Sequence, residues 1–231
     1  MNKNIPSVQS KLRHIVEVPQ CINQVSGIII NGRCIRSLVF STDVAIIANC
    51  NADAVIAVYP FTPTLQITKS IIEVAQRPVL TGVGGGTTKG SRVNKIALDA
   101  ELNGAMAVVL NAPTETEFVK ELSTIIDIPI VLTIVSIDEP LEERMLHSGA
   151  SIVNVSGGKN TVEIIKALRS IDQDFPIIAT GGPTEETIQA VIDAGANAVT
   201  YTPPTNGDIF KGMMEKYRHQ CQQKNKEDTD E

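Results

Sequence analysis

The sequence predicts an α/β fold, an eight-stranded (β/α)8 barrel of the TIM type in a single domain, on three observations. The first is an internal repeat. Three segments step into an apolar run through proline, RPVLTGV at Pro78, IPIVLTI at Pro129 and FPIIATG at Pro176, 51 and 47 residues apart. Between them lie runs that follow a pair of small residues: NADAVIAVY from Asn51, NGAMAVVL from Asn103, SGASIVNV from Ser148 and AGANAVTY from Ala194, spaced by 52, 45 and 46 residues. Two strand–helix units thus recur as a quarter-barrel period. The second observation is that the runs are continuously apolar, as in strands buried on both faces. The third is that amphipathic stretches separate them, which indicates parallel βαβ units. A length of 231 residues with 42% hydrophobic content suits one such barrel over 1–231.

The elements follow in order. Residues 1–35 stand outside the repeat as an N-terminal extension. Residues 9–16 read as a short helix, and Asn31-Gly32 between apolar residues reads as a tight hairpin that closes the bottom of the barrel. The eight strands are expected at 37–42, 54–59, 79–83, 107–111, 130–135, 152–155, 177–180 and 198–202. Thr62 before Pro63 reads as a helix N-cap. Thr114 with Glu117, and Asn160 with Glu163, have capping-box spacing. Gly149 and Gly195 suit the left-handed residue that ends a helix. The stretch from about 218 to 231 is expected to be a flexible polar tail.

Composition excludes several classes. No apolar run has the length of a membrane span, and the start MNKNIPSVQSKLRH lacks the apolar core of a signal peptide, so the expected location is cytoplasmic. Cys21, Cys34, Cys50 and Cys221 form no CxxC pair and no zinc spacing, so they are expected as reduced thiols and no metal site is expected. A net charge of −6 without a basic cluster argues against a nucleic-acid surface. A homo-oligomer is compatible with these features.

In such barrels chemistry sits at the C-terminal ends of the strands. Here those ends carry hydroxyls, amides and glycines and few titratable groups. Asp43, directly after the first strand, is the candidate for proton transfer, with N-capping of the next helix as the competing reading. Asn111, Thr133 and Asn154 are expected to orient a substrate. Gly84-Gly85-Gly86, followed by Lys89 and Arg92, reads either as an anion cradle or as a plain loop. Gly157-Gly158-Lys159 ahead of a helix start and Gly181-Gly182 after the seventh strand are two further anion sites.

The segment ATGGPTEETIQAVIDAGANAVTYTPP resembles the last two strands of the phosphate-binding barrels, the group of ribulose-phosphate-type enzymes, sugar-phosphate epimerases and thiamin-phosphate and flavin-binding barrels. The resemblance implies a phosphate bound by backbone N–H groups at Gly181 and Gly182, and near Thr202. Pro203-Pro204 depart from the family pattern because the second proline and the first have no N–H to give; Asn206-Gly207 would have to substitute. A second likeness, carried by GTTKGSRVNKIALDAELNGAMAVVLNAP and SIVNVSGGKNTVEIIKALR, is to the dihydrodipicolinate synthase and N-acetylneuraminate lyase family. That family forms a Schiff base on a lysine of the sixth strand. Asn154 or a neighbour stands there instead, and Lys159 lies beyond the strand, so the likeness is one of barrel grammar.

The expected function is therefore that of a small-molecule metabolic enzyme acting on a phosphorylated or otherwise anionic metabolite, as an isomerase, lyase or hydrolase. A non-catalytic metabolite-binding barrel is the alternative. No cofactor is expected in either case; an FMN-binding barrel is a third possibility, since the same two loops serve a flavin phosphate.

Overall fold

The computed structural model describes residues 16–227, together with Pro6 and Val8, with side chains through residue 222. Eight parallel strands close into a barrel: β3 (Ser37–Phe40), β4 (Ala54–Ala57), β5 (Val79–Gly85), β6 (Ala107–Asn111), β7 (Ile130–Ile134), β8 (Ile152–Val155), β9 (Ile177–Thr180) and β10 (Ala198–Tyr201), with β10 pairing back onto β3. Eight helices alternate with them: α1 (Val44–Asn49), α2 (Leu65–Ala75), α3 (Ser91–Leu102), α4 (Thr116–Leu122), α5 (Leu141–Leu146), α6 (Thr161–Ile171), α7 (Glu185–Asp193) and α8 (Asn206–Glu227). This is the fold the repeat predicts.

The bottom of the barrel is stoppered. β1 (Ile28–Ile30) and β2 (Arg33–Ile35) pair antiparallel around Asn31 and Gly32, whose φ of 49° and 77° give the turn that a two-residue hairpin needs. Ile28, Ile30 and Ile35 join Leu38, Leu80, Val131, Ile152 and Ile178 in one buried cluster on the barrel axis. The hairpin thus fills the N-terminal end with aliphatic volume, as expected. The proposed helix at 9–16 lies outside the described residues apart from Val16, which bridges Cys50.

Charge is spent on the same lower face. Asp53 Oδ2 accepts from the Arg36 and Ser37 N–H groups at 2.8 and 3.0 Å, Glu101 accepts from Asp127 N at 2.6 Å, and Arg169 donates to the carbonyls of Gly195 and Phe175. Each satisfies backbone groups that the starts of strands leave open.

Several helix starts differ from expectation. α2 begins at Leu65, because the Tyr59 hydroxyl takes the Thr64 N–H at 2.9 Å and holds 60–63 as a loop. Thr114 does not cap α4; its hydroxyl turns back to the Asn111 carbonyl at 2.6 Å. Asn160 precedes α6 without a capping side chain, and Thr161 Oγ1 takes the Gly157 N–H instead. The reciprocal cap occurs at α7, where Thr184 and Thr187 exchange side-chain and backbone bonds. Gly149 and Gly195 do take left-handed φ, 86° and 106°, just past α5 and α7. Residues 218–227, expected as flexible tail, continue α8 as helix; a run of Gln, Lys and Glu is polar yet strongly helix-forming. No helix among the described residues is long and apolar enough to cross a membrane.

Candidate functional site

The inward-facing positions of the barrel rise from the aliphatic floor to a ring of neutral polar side chains. Parallel register places Thr133 beside Asn154 and Thr180 beside Thr200, while Asn154 pairs with Ile178, so the polar positions of four adjacent strands rise in two steps toward the mouth. Asn111, Thr133, Asn154, Ser156, Thr180, Thr200 and Thr202 line a cavity of about 210 Å³ at the mouth, over Phe40, Ile56, Val58 and Val109. Asn154 and Thr200 are 8% and 4% exposed, and Asn154 Oδ1 and Thr200 Oγ1 have no hydrogen-bond partner. An unpartnered buried polar atom costs about 1–3 kcal/mol, and here two such atoms belong to residues that line one cavity.

A second cleft, of about 430 Å³, adjoins the first through the shared residues Ser156 and Thr180. Gly158, Lys159, Gly181 and Gly182 line it. The structure thus gathers most of the expected site residues into two neighbouring spaces: Asn111, Thr133, Asn154 and Thr202 in the mouth, and Gly158, Lys159, Gly181 and Gly182 in the cleft. Gly157 and Asp43 line neither space.

The glycines have packing reasons of their own. A Cβ at Gly181 would lie 2.7 Å from Val199 Cγ1 and 2.8 Å from Ile188 Cγ1; one at Gly157 would lie 2.4 Å from Ile164 Cδ1. Their N–H groups are also engaged, Gly181 to the Thr200 carbonyl at 3.1 Å and Gly157 to Thr161 Oγ1 at 3.1 Å. After the eighth strand, Asn206 donates to Asp43 and the start of α8 is capped by Thr205 and Asp208. Across the cleft, a hydrogen bond from Thr184 holds the Glu186 carboxyl below its usual range, so negative charge stays at the start of α7. An anion in this cleft would face Lys159, the cation of its lining.

Asp43 is engaged on both carboxylate oxygens. Oδ1 accepts from the Ala45 and Ile46 N–H groups at 2.9 and 3.3 Å, and Oδ2 accepts from Asn206 Nδ2 at 2.8 Å. It caps α1 and ties it to α8, and it does not line the mouth cavity. Asparagine caps about as well as aspartate, and the Asn206 amide can turn its oxygen to a new amide partner. Asp43→Asn is therefore expected to leave thermal stability nearly unchanged, while Asp43→Ala loses about 1–2 kcal/mol in denaturant titration. A severe loss in the Asn variant would count against the capping assignment.

The run Gly84-Gly85-Gly86 is not a free loop. Gly84 and Gly85 belong to β5 and pair with Leu110 and Asn111 past a bulge, and the Gly86 N–H bonds the Pro113 carbonyl at 3.0 Å. Two components escaped the sequence reading. Thr200 lies two residues before Thr202, and strand alternation alone would have put both on the axis. Arg144 and Glu139 gave no signal, since charges on a short helix and in the loop before it read as solvated. Arg144, 5% exposed, donates to the Thr114 carbonyl at 2.7 Å and to the Thr133 carbonyl at 3.4 Å. Its Nε lies 2.7 Å from Glu139 Oε2, as an ion pair without hydrogen-bond alignment, while Glu139 Oε1 holds the Val135 and Ser136 N–H groups. Together they fix the end of β7 that presents Thr133.

Among the described residues no group of three or more His, Cys, Asp or Glu could hold a metal ion. No family model matches the chain, and no curated protein matches it significantly. Solved structures do resemble it. The citrate synthase SbnG aligns with a TM-score of 0.61 at 9% identity, over 88% of this chain and 96% of that one. A phosphonopyruvate hydrolase, in complex with oxalate and Mg++, aligns with a TM-score of 0.57 at 11% identity, over 82% of each chain. A dihydrodipicolinate synthase from Agrobacterium tumefaciens aligns with a TM-score of 0.55 at 16% identity, over 79% of this chain and 71% of that one. At these identities the shared property is the (β/α)8 barrel, which hosts many unrelated reactions.

Proposed function

We propose that the chain is a barrel of small-molecule metabolism that binds a compact polar metabolite in its mouth, with an anionic group of that metabolite in the cleft beside Lys159. The observation that carries the reading is a mouth cavity lined by hydroxyls and amides, two of them on Asn154 and Thr200 with an unpartnered oxygen, adjoining a second cleft with a cation. The mouth cavity has no ionisable side chain among its lining residues. Binding is accordingly supported more strongly than proton-transfer catalysis, and Asp43 is read as structural. Enzymatic turnover is the second reading; similar barrels bear the names of a synthase and a hydrolase.

Titration of inorganic phosphate into the 15N-labelled protein tests the anion site. Shifts are expected at Gly158, Lys159 and Gly182, with affinity reduced about tenfold in Lys159→Met, since a charge-assisted bond contributes about 1.5–3 kcal/mol. Equal binding by the variant would refute the cleft assignment. Turnover assays on every metabolite that binds then separate an enzyme from a binder.

A further inference from the structure

Every one of the eleven side chains lining the mouth cavity is uncharged at all ordinary pH. A carboxylate brought to this level would give up its water and meet no counter-charge, which is the costly way to bury an ion. A hydroxyl loses much less. It also suits the two unpartnered groups once their side chains turn to the cavity: Asn154 Oδ1 accepts, and Thr200 Oγ1 both gives and accepts. Because the oxygen and nitrogen of an amide are assigned by their surroundings, the Asn154 side chain is also served in its turned form by a hydroxyl, which accepts as well as donates. Phe40 and Val58 offer an apolar wall against which the C–H face of a polyol rests. The volume, about 210 Å³, matches a molecule of a few carbons, given roughly 30 Å³ for one water in the liquid.

We infer that the mouth takes an uncharged, multiply hydroxylated end of the ligand and rejects a carboxylate at that position. The inference rests on the reading of the mouth as the ligand site, and it assigns the neutral and charged ends of the ligand to separate spaces.

Four probes separate the two claims: glycerol, glycerate, glycerol 3-phosphate and 3-phosphoglycerate, each followed by chemical-shift titration of the labelled protein. Thermal shift is unsuitable, because polyols stabilise folded proteins by exclusion from their surface. Glycerol 3-phosphate is expected to bind at least about tenfold more tightly than 3-phosphoglycerate, and glycerol more tightly than glycerate. Thr200→Val removes a hydroxyl that bonds nothing in the protein and keeps the side-chain shape, so the variant is expected to fold and to weaken glycerol 3-phosphate at least about fivefold. The inference is overturned if either acid binds as tightly as its alcohol, if Thr200→Val binds undiminished, or if none of the four shifts residues of the mouth. If phosphate adds nothing while the alcohols still outbind the acids, the cleft assignment fails and this one stands.

Discussion

Replacing Arg144 by methionine is expected to destabilise the protein by about 3–5 kcal/mol, the cost of breaking a buried ion pair from one side. The guanidinium is 5% exposed and its partner carboxylate belongs to a side chain 19% exposed, so water cannot readily take the place of the lost contacts. Two carbonyls, of Thr114 and Thr133, lose their donor at the same time. For a chain of this size each kcal/mol moves the melting temperature by roughly 2–4 °C, so a fall on the order of 10 °C is expected in calorimetry. Glu139→Gln should cost less, because the amide oxygen can still accept from the Val135 and Ser136 N–H groups. In the double variant the effects should fall short of their sum by more than about 1 kcal/mol, as for groups in one network. Additive losses would show that the pair is not coupled.

The barrel was legible in the sequence because a parallel sheet covered on both faces has one simple signature, an apolar run, and this chain repeats it with proline and small-residue punctuation. The hairpin was legible for a local reason: Asn31-Gly32 adopts a turn that few other pairs accept. The mouth was legible in part. Asn111, Thr133 and Asn154 are polar residues at the upper ends of apolar strands, and the strand-end rule finds them without a structure. Thr200 was hidden one step further down, where a threonine in a strand looks like a β-former. The helix caps were misread because capping depends on where the preceding loop leaves the chain: Tyr59 moves the start of α2, and the Asn111 carbonyl captures Thr114. Arg144 and Glu139 were illegible in principle, since their burial is a property of what packs over α5.

The glycine run shows the same limit and gives the other large effect. In the sequence, Gly84-Gly85-Gly86 serves equally as an anion cradle or as a loop. In the structure Gly85 has a φ of 90°, and a Cβ there would lie 2.0 Å from the Asn111 carbonyl oxygen and 2.7 Å from the Asn111 nitrogen. Both are backbone atoms of the neighbouring strand and cannot rotate away. Gly85→Ala is therefore expected to cost more than about 4 kcal/mol, at the extreme of single substitutions, by parting the upper ends of β5 and β6. Gly86 differs by one position: its φ is 61° and the nearest atom to a Cβ is the Ala112 oxygen at 3.2 Å. Gly158 has a φ of 59° and open space. In both, alanine should cost only the left-handed conformation, roughly 1–2 kcal/mol. Urea midpoints of the three variants measure the gradient directly, and failure of Gly85→Ala to accumulate as folded protein would belong to the same outcome. If Gly85→Ala instead folds as well as the other two, the close approach of β5 to Asn111 is not required, and both readings of the run, anion cradle and plain loop, stand again.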